Sequence, residues 1–540
     1  MRRQIERERA QQDAQVPHAD VLRPAAQGSK LPELPDEQPC FVITEIALLG
    51  PDVQRLRWLT NSTDSLLNRC IGAQGISRIA AYLDAQLIEQ GYVTSRVALG
   101  SQNLADGRLE FRLHAGRVAS IRMVNAATGE ADDDWGTWRN AFPTSTGALL
   151  NVRDLEQGVE QMKRLPSQAV ATTLTPGASA DTSVVTIERK TGSLRERIHG
   201  GVTLDNSGTE SLGRTQASAS VALDNPLGLN DLVGVSLNSN AEEPGAGHRT
   251  QGASLNYSIP FGYSTFNFSA SHSRVAQRIQ LTTSEPLSRS LSDSAEIKWQ
   301  HTAWRTASAK TGVYASLSNR RAASFLDDTE LTTSHRKTTF VETGINFRQL
   351  YEGDASIELE LGYRRGMPWL SAQDDLAGDP QDPSLVPTLR PRLWTFSGNA
   401  TVPLGAARRW LFSASVKGQF THDHTTSIDQ IAIGNRSSVR GFDGDAVLLA
   451  ENGWFWRNEL STPLPVEGVE TALYFGLDYG HVWGPSDAIL LGHDLAGAAL
   501  GVRGRFKALQ FDLALAAPVH KPEGFNTSRT SIYASATYGF

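Results

Sequence analysis

No run of about 18 apolar residues occurs in the 540-residue sequence, so no helix is expected to cross a membrane. A membrane is not thereby excluded, because barrel strands are short and only alternately apolar. No apolar h-region follows the opening M-R-R-Q-I-E-R, so no signal peptide is read there. If exported, the sequence corresponds to the mature form. Excess positive charge is missing as well. Lys and Arg number 51 against 58 Asp and Glu, a net charge of -7, which argues against nucleic acid as a partner. The phosphate loop G-x-x-x-x-G-K-[ST] is absent, so no ATP motor is expected. No G-x-S-x-G elbow marks an esterase, and the chain is read as a non-enzyme without cofactors. His422 and His424 lack further ligands, and Asp443-Gly444-Asp445 is too short for a calcium loop, so no metal is expected. Only 2 Cys are present, Cys40 and Cys70. An even count suits one disulfide in an oxidising compartment. Closing that loop contributes roughly 3–4 kcal/mol in the chain-entropy model.

Residues 1–15 are rich in Arg, Glu and Gln, with Arg2 and Glu6 one helical turn apart and Arg3 and Arg9 adding to the polar surface. Ile5 is almost the only large apolar side chain there, so a helix would be polar all round. Such a segment is either a disordered tail or a helix lying in a polar cavity. Residues 16–39 carry five prolines and read as an extended linker.

Globular texture begins at Cys40. Residues 41–49 read as a strand. Ile76, Ile79, Leu83 and Leu87 fall on one helical face, with Gly91 as the stop. Residues 92–99 and 108–113 read as a strand pair, giving a small α+β module over 40–116. A second module, 117–192, opens with a strand at 118–124. Asn151 caps a helix there, with Asp154 in a capping-box-like place; Val152, Leu155, Val159 and Met162 share a face, and Pro166 ends the helix. A strand at 184–187 follows a turn at Pro176-Gly177.

From Ile198 the apolar period becomes two. Leu255, Tyr257, Ile259 and Phe261 alternate with smaller or polar residues, as do Leu473, Phe475, Leu477 and Tyr479. The opposite face carries amides and carboxylates, as expected with lipid on one side and a wet lumen on the other. Residues 193–540 allow about 16 antiparallel strands, an even number that closes the sheet and removes its edges. By the same alternation Asp478 points inward. Trp454 and Trp456 suit an interfacial girdle. The stretch 431–445, I-A-I-G-N-R-S-S-V-R-G-F-D-G-D, has too many breakers for a strand or helix and reads as a loop.

Several motifs in this order resemble the two-partner-secretion outer-membrane transporters, the TpsB group that includes CdiB, ShlB and FhaC and is related to BamA. The tandem modules resemble that family's paired POTRA domains, and N-V-R-D-L-E-Q-G-V-E-Q-M-K-R-L-P-S at 151–167 resembles its second-POTRA stretch. T-L-D-N-S-G at 203–208 and A-L-D-N-P-L-G-L-N-D at 222–231 resemble its opening barrel hairpin. Val439-Arg440-Gly441-Phe442 is similar to its V-R-G-F/Y signature, and Gly476-Leu477-Asp478-Tyr479-Gly480 to its [F/G]-x-D-x-G motif. The C-terminal alternation ending in Tyr538 and Phe540 resembles the assembly signal of outer-membrane barrels.

The resemblance implies a monomeric membrane β-barrel in the bacterial outer membrane, preceded by two periplasmic POTRA domains and a plug helix, 1–15. It implies export, without ATP, of a large secreted exoprotein (a TpsA such as a CdiA-like toxin of contact-dependent growth inhibition, a haemolysin or an adhesin) captured by its N-terminal secretion domain. Outer-membrane lipid and the barrel-assembly machinery would be the other partners. It also implies that Arg440, on a loop inserted in the lumen, pairs with Asp478 on the wall. A BamA-type insertase shares V-R-G-F but carries five POTRA domains, where this chain has room for two. A passive porin would not explain the tandem modules.

Overall fold

The computed structural model describes residues 21–23, 30–132, 135–242, 245, 247–279, 284–376, 386–485 and 487–540. The proposed plug residues Arg2, Arg3, Ile5, Glu6 and Arg9 lie outside the described residues.

The first module contains β1 (Cys40–Ile43), β2 (Glu45–Leu49), α1 (Arg57–Asn61), β3 (Arg69–Gly72), α2 (Ala73–Glu89), β4 (Arg96–Leu99) and β5 (Arg108–His114). The helical face expected from the sequence is the buried face of α2: Ile76, Ile79, Leu83 and Leu87 pack into a core with Ile43, Leu109 and Phe111. Residues 41–49 form two strands rather than one. The amides of Thr44 and Glu45 both donate to the Gly107 carbonyl, at 2.7 and 3.2 Å, and the chain changes sheets there. β1 pairs antiparallel with β3, whereas β2 runs parallel to β5. A disulfide joins Cys40 to Cys70 and ties β1 to β3. The end of the linker packs onto this module. Leu34 lies against its core, and the Glu37 carboxylate accepts from the amides of Gly75, Gln74 and Gly72 at 2.7, 2.9 and 3.0 Å. Those bonds, Gly75's foremost, hold the Glu37 carboxyl below its usual range and satisfy orphan donors at the start of α2.

The second module contains β6 (Arg117–Asn125), α3 (Val152–Lys163), β7 (Gln168–Pro176) and β8 (Thr182–Thr191), with sheet order β6-β8-β7. β7 carries no sequence expectation. It is an edge strand, Q-A-V-A-T-T-L-T-P, with short side chains and little apolar contrast. Asn151 caps α3 by accepting from the Arg153 amide at 2.8 Å. Asp154 turns away from the capping box and accepts from the Tyr263 hydroxyl of the barrel; burial at that contact pushes its pKa up. Gly91, at φ 93°, lets the modules meet closely: a Cβ there would lie 2.3 Å from Asn151 Oδ1.

The barrel begins with β9 (Ile198–Asp205), β10 (Gln216–Asp224), β11 (Leu232–Asn240), β12 (His248–Phe261), β13 (Ser264–Arg278) and β14 (Leu287–Arg305). It continues with β15 (Ala309–Leu326), the two-residue extension β16 (Thr329–Glu330), β17 (Arg336–Leu350), β18 (Ser356–Met367), β19 (Arg392–Leu404) and β20 (Trp410–Phe420). β21 (Ile431–Ile433) and β22 (Leu448–Ala450) belong to the long loop after β20. The wall resumes with β23 (Asn452–Val466), β24 (Val469–Trp483), β25 (Asp494–Phe506), β26 (Leu509–His520) and β27 (Ser531–Gly539). Sixteen antiparallel strands close when β27 pairs with β9. That pairing spans Ser535↔Asp205 to Gly539↔Gly201, and Phe540 and Gly200 exchange both backbone bonds at 3.0 Å.

The outward positions form an exposed apolar band, with Leu237, Leu255, Ile297, Ile345, Leu359, Leu477 and Leu513 all about half exposed or more. A soluble surface does not carry a band that large, and lipid does cover one. Trp454 packs on the outward Tyr479 at 5.4 Å, beside exposed Trp456.

Candidate functional site

The loop between β20 and β23 folds back into the barrel. Its ends pair as the hairpin β21–β22, and its tip is held against the inner wall. Val439 and Phe442 are fully buried in an apolar cluster with Ile433, Leu448, Val482 and Leu495, joined by Phe525 from the loop after β26. The Phe442 and Phe525 rings meet edge to face at 5.7 Å. Between these anchors sits Arg440, its side chain 6% exposed and that of its partner Asp478 0%. Arg440 donates from Nε to Asp478 Oδ2 at 2.7 Å, from Nη2 to Oδ1 at 2.8 Å, and from its amide to Oδ2 at 2.9 Å. Nη1 donates to Glu459 Oε2 at 2.7 Å and Nη2 to the Asn458 carbonyl at 3.0 Å. The planar fork is thus filled by one bidentate carboxylate and a second carboxylate beside it.

The wall is shaped to receive the loop. Gly476, Asp478 and Gly480 share the inward face of β24. A Cβ on Gly476 would lie 2.3 Å from Arg440 Nη2, and one on Gly480 2.9 Å from Val439 Cγ2. Gly497, opposite Asp478 on β25, would place a Cβ 1.7 Å from the Arg440 carbonyl oxygen. Gly441 itself needs glycine, at φ 112° with Ala517 O 2.5 Å from where its Cβ would be. Tyr533 on β27 accepts from the Gly441 amide at 3.0 Å and donates to the Phe442 carbonyl at 2.8 Å.

The structure therefore brings together Val439, Arg440, Gly441, Phe442, Asp478 and Gly480. Tyr538 and Phe540 lie far from them, outward-facing and more than half exposed at the end of the closing strand. Glu459, Gly476, Gly497 and Tyr533 have no sequence expectation as site residues. Gly480 was expected from the motif, and the parity that turns Asp478 inward also places Gly476 beside it, so that glycine was within reach of the same reasoning. Glu459 and Tyr533 are set by cross-strand register, which one strand's alternation does not reveal.

The second module docks on the near rim through α3. Arg305, 1% exposed, donates from Nη1 to Glu160 Oε2 at 2.8 Å and to Gln157 Oε1 at 3.0 Å. Lys310 Nζ meets the other Glu160 oxygen at 2.7 Å. Gln161 donates to the Gly262 carbonyl at 3.0 Å, and buried Arg164 to Ser258 Oγ at 2.6 Å. Burial lowers the Arg164 pKa to about 10, opposed by the Asp231 charge. The fully buried Arg189 holds Asp132 at 2.6 and 2.8 Å, and Trp135 Nε1 donates to the Asn225 carbonyl in the β10–β11 turn at 2.9 Å. Glu160→Ala leaves the buried Arg305, among the described residues, with Glu156 at 3.8 Å as its remaining ion-pair partner. Docking is expected to weaken, by up to roughly 3–5 kcal/mol. Limited proteolysis of the 192–197 connector checks this: faster cleavage is expected, and an unchanged rate would place the docking energy elsewhere.

A closed apolar-sided barrel, a pinned luminal loop and two small α+β modules docked at one rim define an outer-membrane transporter of the POTRA-plus-barrel class. A model of the haemolysin secretion/activation protein ShlB/FhaC/HecB family matches residues 181–504, preceded by an ShlB-type POTRA domain at 41–116 and a POTRA domain at 117–176. The chain belongs to this ShlB/FhaC/HecB family of two-partner-secretion transporters. It is 33% identical to outer membrane transporter CdiB-2 of Burkholderia pseudomallei over 98% of this chain and 91% of that one. It is 27% identical to the hemolysin transporter protein ShlB of Serratia marcescens over 84% and 77%. The solved structure of CdiB from Escherichia coli superposes with a TM-score of 0.82 at 26% identity, covering 100% of this chain and 97% of that one. The barrel lies in the outer membrane and the POTRA domains in the periplasm, so the near rim is periplasmic and the far rim extracellular.

Proposed function

We propose that this chain exports one large exoprotein, unfolded, from the periplasm to the cell surface, without nucleotide and without any enzymatic step. The observation that carries the reading is the luminal lock: a loop seated in the barrel by a single desolvated arginine on two wall carboxylates, an internal part of the pore whose seating export requires. The POTRA domains capture the client's N-terminal secretion domain. The β7 edge offers unpaired backbone for strand addition, a mode that tolerates varied client sequence. The client is a CdiA-like toxin, a haemolysin or an adhesin, and client folding outside supplies the drive. Export is tested by probing the surface of cells for the secretion domain of a candidate client. Surface exposure that depends on this chain supports the reading. Client that enters the outer membrane and stays there favours an insertase instead.

Residues 1–15 plug the resting lumen in this reading. Support comes from residues 21–23, where the Arg23 amide donates to the Ala307 carbonyl of the periplasmic β14–β15 turn at 2.7 Å and Val21 packs on the second POTRA core. Residues 21–23 therefore lie at the mouth of the barrel. Deleting 1–15 is expected to raise single-channel conductance; unchanged conductance removes the plug. Tyr538 and Phe540 serve as the signal read by the barrel-assembly machinery, and the transporter acts as a monomer.

A further inference from the structure

On the lipid-facing side of β18 and β19, Tyr363 and Trp394 are direct cross-strand partners with ring centroids 4.9 Å apart. Exposed Leu361 and Phe396 lie below them in the apolar band. Two residues nearer the extracellular rim, the opposed pair is Arg365 and Arg392. Like charges directly opposite destabilise a strand pair, so this placement has a local cost that something else must offset. Asp423 offsets part of it, accepting from Arg392 Nη2 at 2.8 Å and from the Arg392 amide at 2.7 Å. Arg365 is exposed and has no ion pair among the described residues. Arg390 reaches Asp374 at 3.3 Å, yet its Nε is buried without a hydrogen-bond partner. These three arginines, with Thr388 and Asp423, line a cavity of about 460 Å³. Next to it, Arg321 on β15 and Lys337 on β17 repeat the like-charge opposition.

The height of the cluster decides its ligand. Tyr and Trp at a barrel's edge sit at the level of lipid headgroups. Two further residues along a strand advance about 7 Å before tilt, into the zone of the headgroup phosphates. Guanidinium forks match phosphate oxygens, and a phosphoryl group brings the acceptors that the exposed Arg365 side chain lacks. We propose that Arg365, Arg390 and Arg392 form a binding site for the phosphoryl groups of a phosphorylated glycolipid, of the lipid A type, in the outer leaflet. The site rests only on the outer-membrane placement of the barrel and is independent of the luminal lock.

The test uses the full chain in detergent and native mass spectrometry. It is titrated with bisphosphorylated lipid A, with the dephosphorylated lipid, and with inorganic phosphate as competitor. The phosphorylated lipid is expected to bind at least about tenfold more tightly than the dephosphorylated one, given the gain expected per basic residue at a charged lipid surface. The Arg365→Gln/Arg390→Gln double variant is expected to lose that preference while still shifting on heating in SDS gels. Equal affinity of the wild type for the two lipids would overturn the proposal, as would a preference kept by the folded double variant. Displacement by millimolar phosphate would assign the site to a free anion and overturn the lipid. If the double variant does not fold, Arg365→Gln alone and the wild-type lipid comparison decide, since the Arg365 side chain makes no ion pair among the described residues.

Discussion

Arg440→Ala is expected to abolish export while leaving a barrel that resists SDS until heated. The barrel survives because its wall is held by the strand ladder of β9 through β27, to which Arg440 contributes no pairing. The loop does not stay seated. Removing the guanidinium leaves Asp478, at 0% exposure, with the more distant Arg457 at 3.7 Å, and leaves Glu459 to Arg503. Breaking a buried pair in this way costs roughly 3–5 kcal/mol. That shifts the seated-to-unseated ratio by about two to four orders of magnitude. Arg440→Lys restores the charge but not the fork, so it is expected to recover only part of the activity. Surface detection of the client beside a heat-shift gel separates the two readouts. Normal export by Arg440→Ala would remove Arg440 from the mechanism.

Gly497→Ala is expected to displace the loop with every charged partner intact. The added methyl would lie 1.7 Å from the Arg440 carbonyl oxygen and 3.2 Å from Gly441 Cα. Both are backbone atoms, so no side-chain rotation relieves the overlap, and overpacking of this kind costs roughly 1–3 kcal/mol or more. Gly497 also lies at the register shift between β25 and β26, where the wall is already bent. The loop is therefore the part that moves. Protease access to 435–445 from the cell surface is expected to rise severalfold, and export to fall as in Arg440→Ala. Unchanged loop protection would show that the wall, rather than the loop, absorbs the methyl.

The barrel was legible in the sequence because lipid on one side and water on the other impose a period of two. That period sufficed to turn Asp478 inward. It could not say what Asp478 meets, since the path of the 421–451 loop depends on distant contacts such as Phe442 on Phe525 and Gly441 on Tyr533. The Arg440–Asp478 pairing was reached only through family resemblance. The docking face of α3 was hidden for a different reason. Glu156, Gln157, Glu160 and Gln161 have the composition of a solvated face, yet they meet Arg305, Lys310 and the Gly262 carbonyl. A polar interface carries no hydrophobic signature to read. β7 escaped similarly, as an edge strand whose one buried large apolar side chain is Val170, with Leu174 only partly buried beside the core.

The most direct measurement places the purified protein alone in lipid vesicles, with no nucleotide, and presents the unfolded secretion domain of the client on the POTRA side. Transport by a self-sufficient pore predicts that the domain becomes protected from added protease inside the vesicle, and that the Arg440→Ala protein fails to protect it. Client that remains accessible with the wild-type protein, or that becomes embedded in the bilayer, would contradict transport through this barrel.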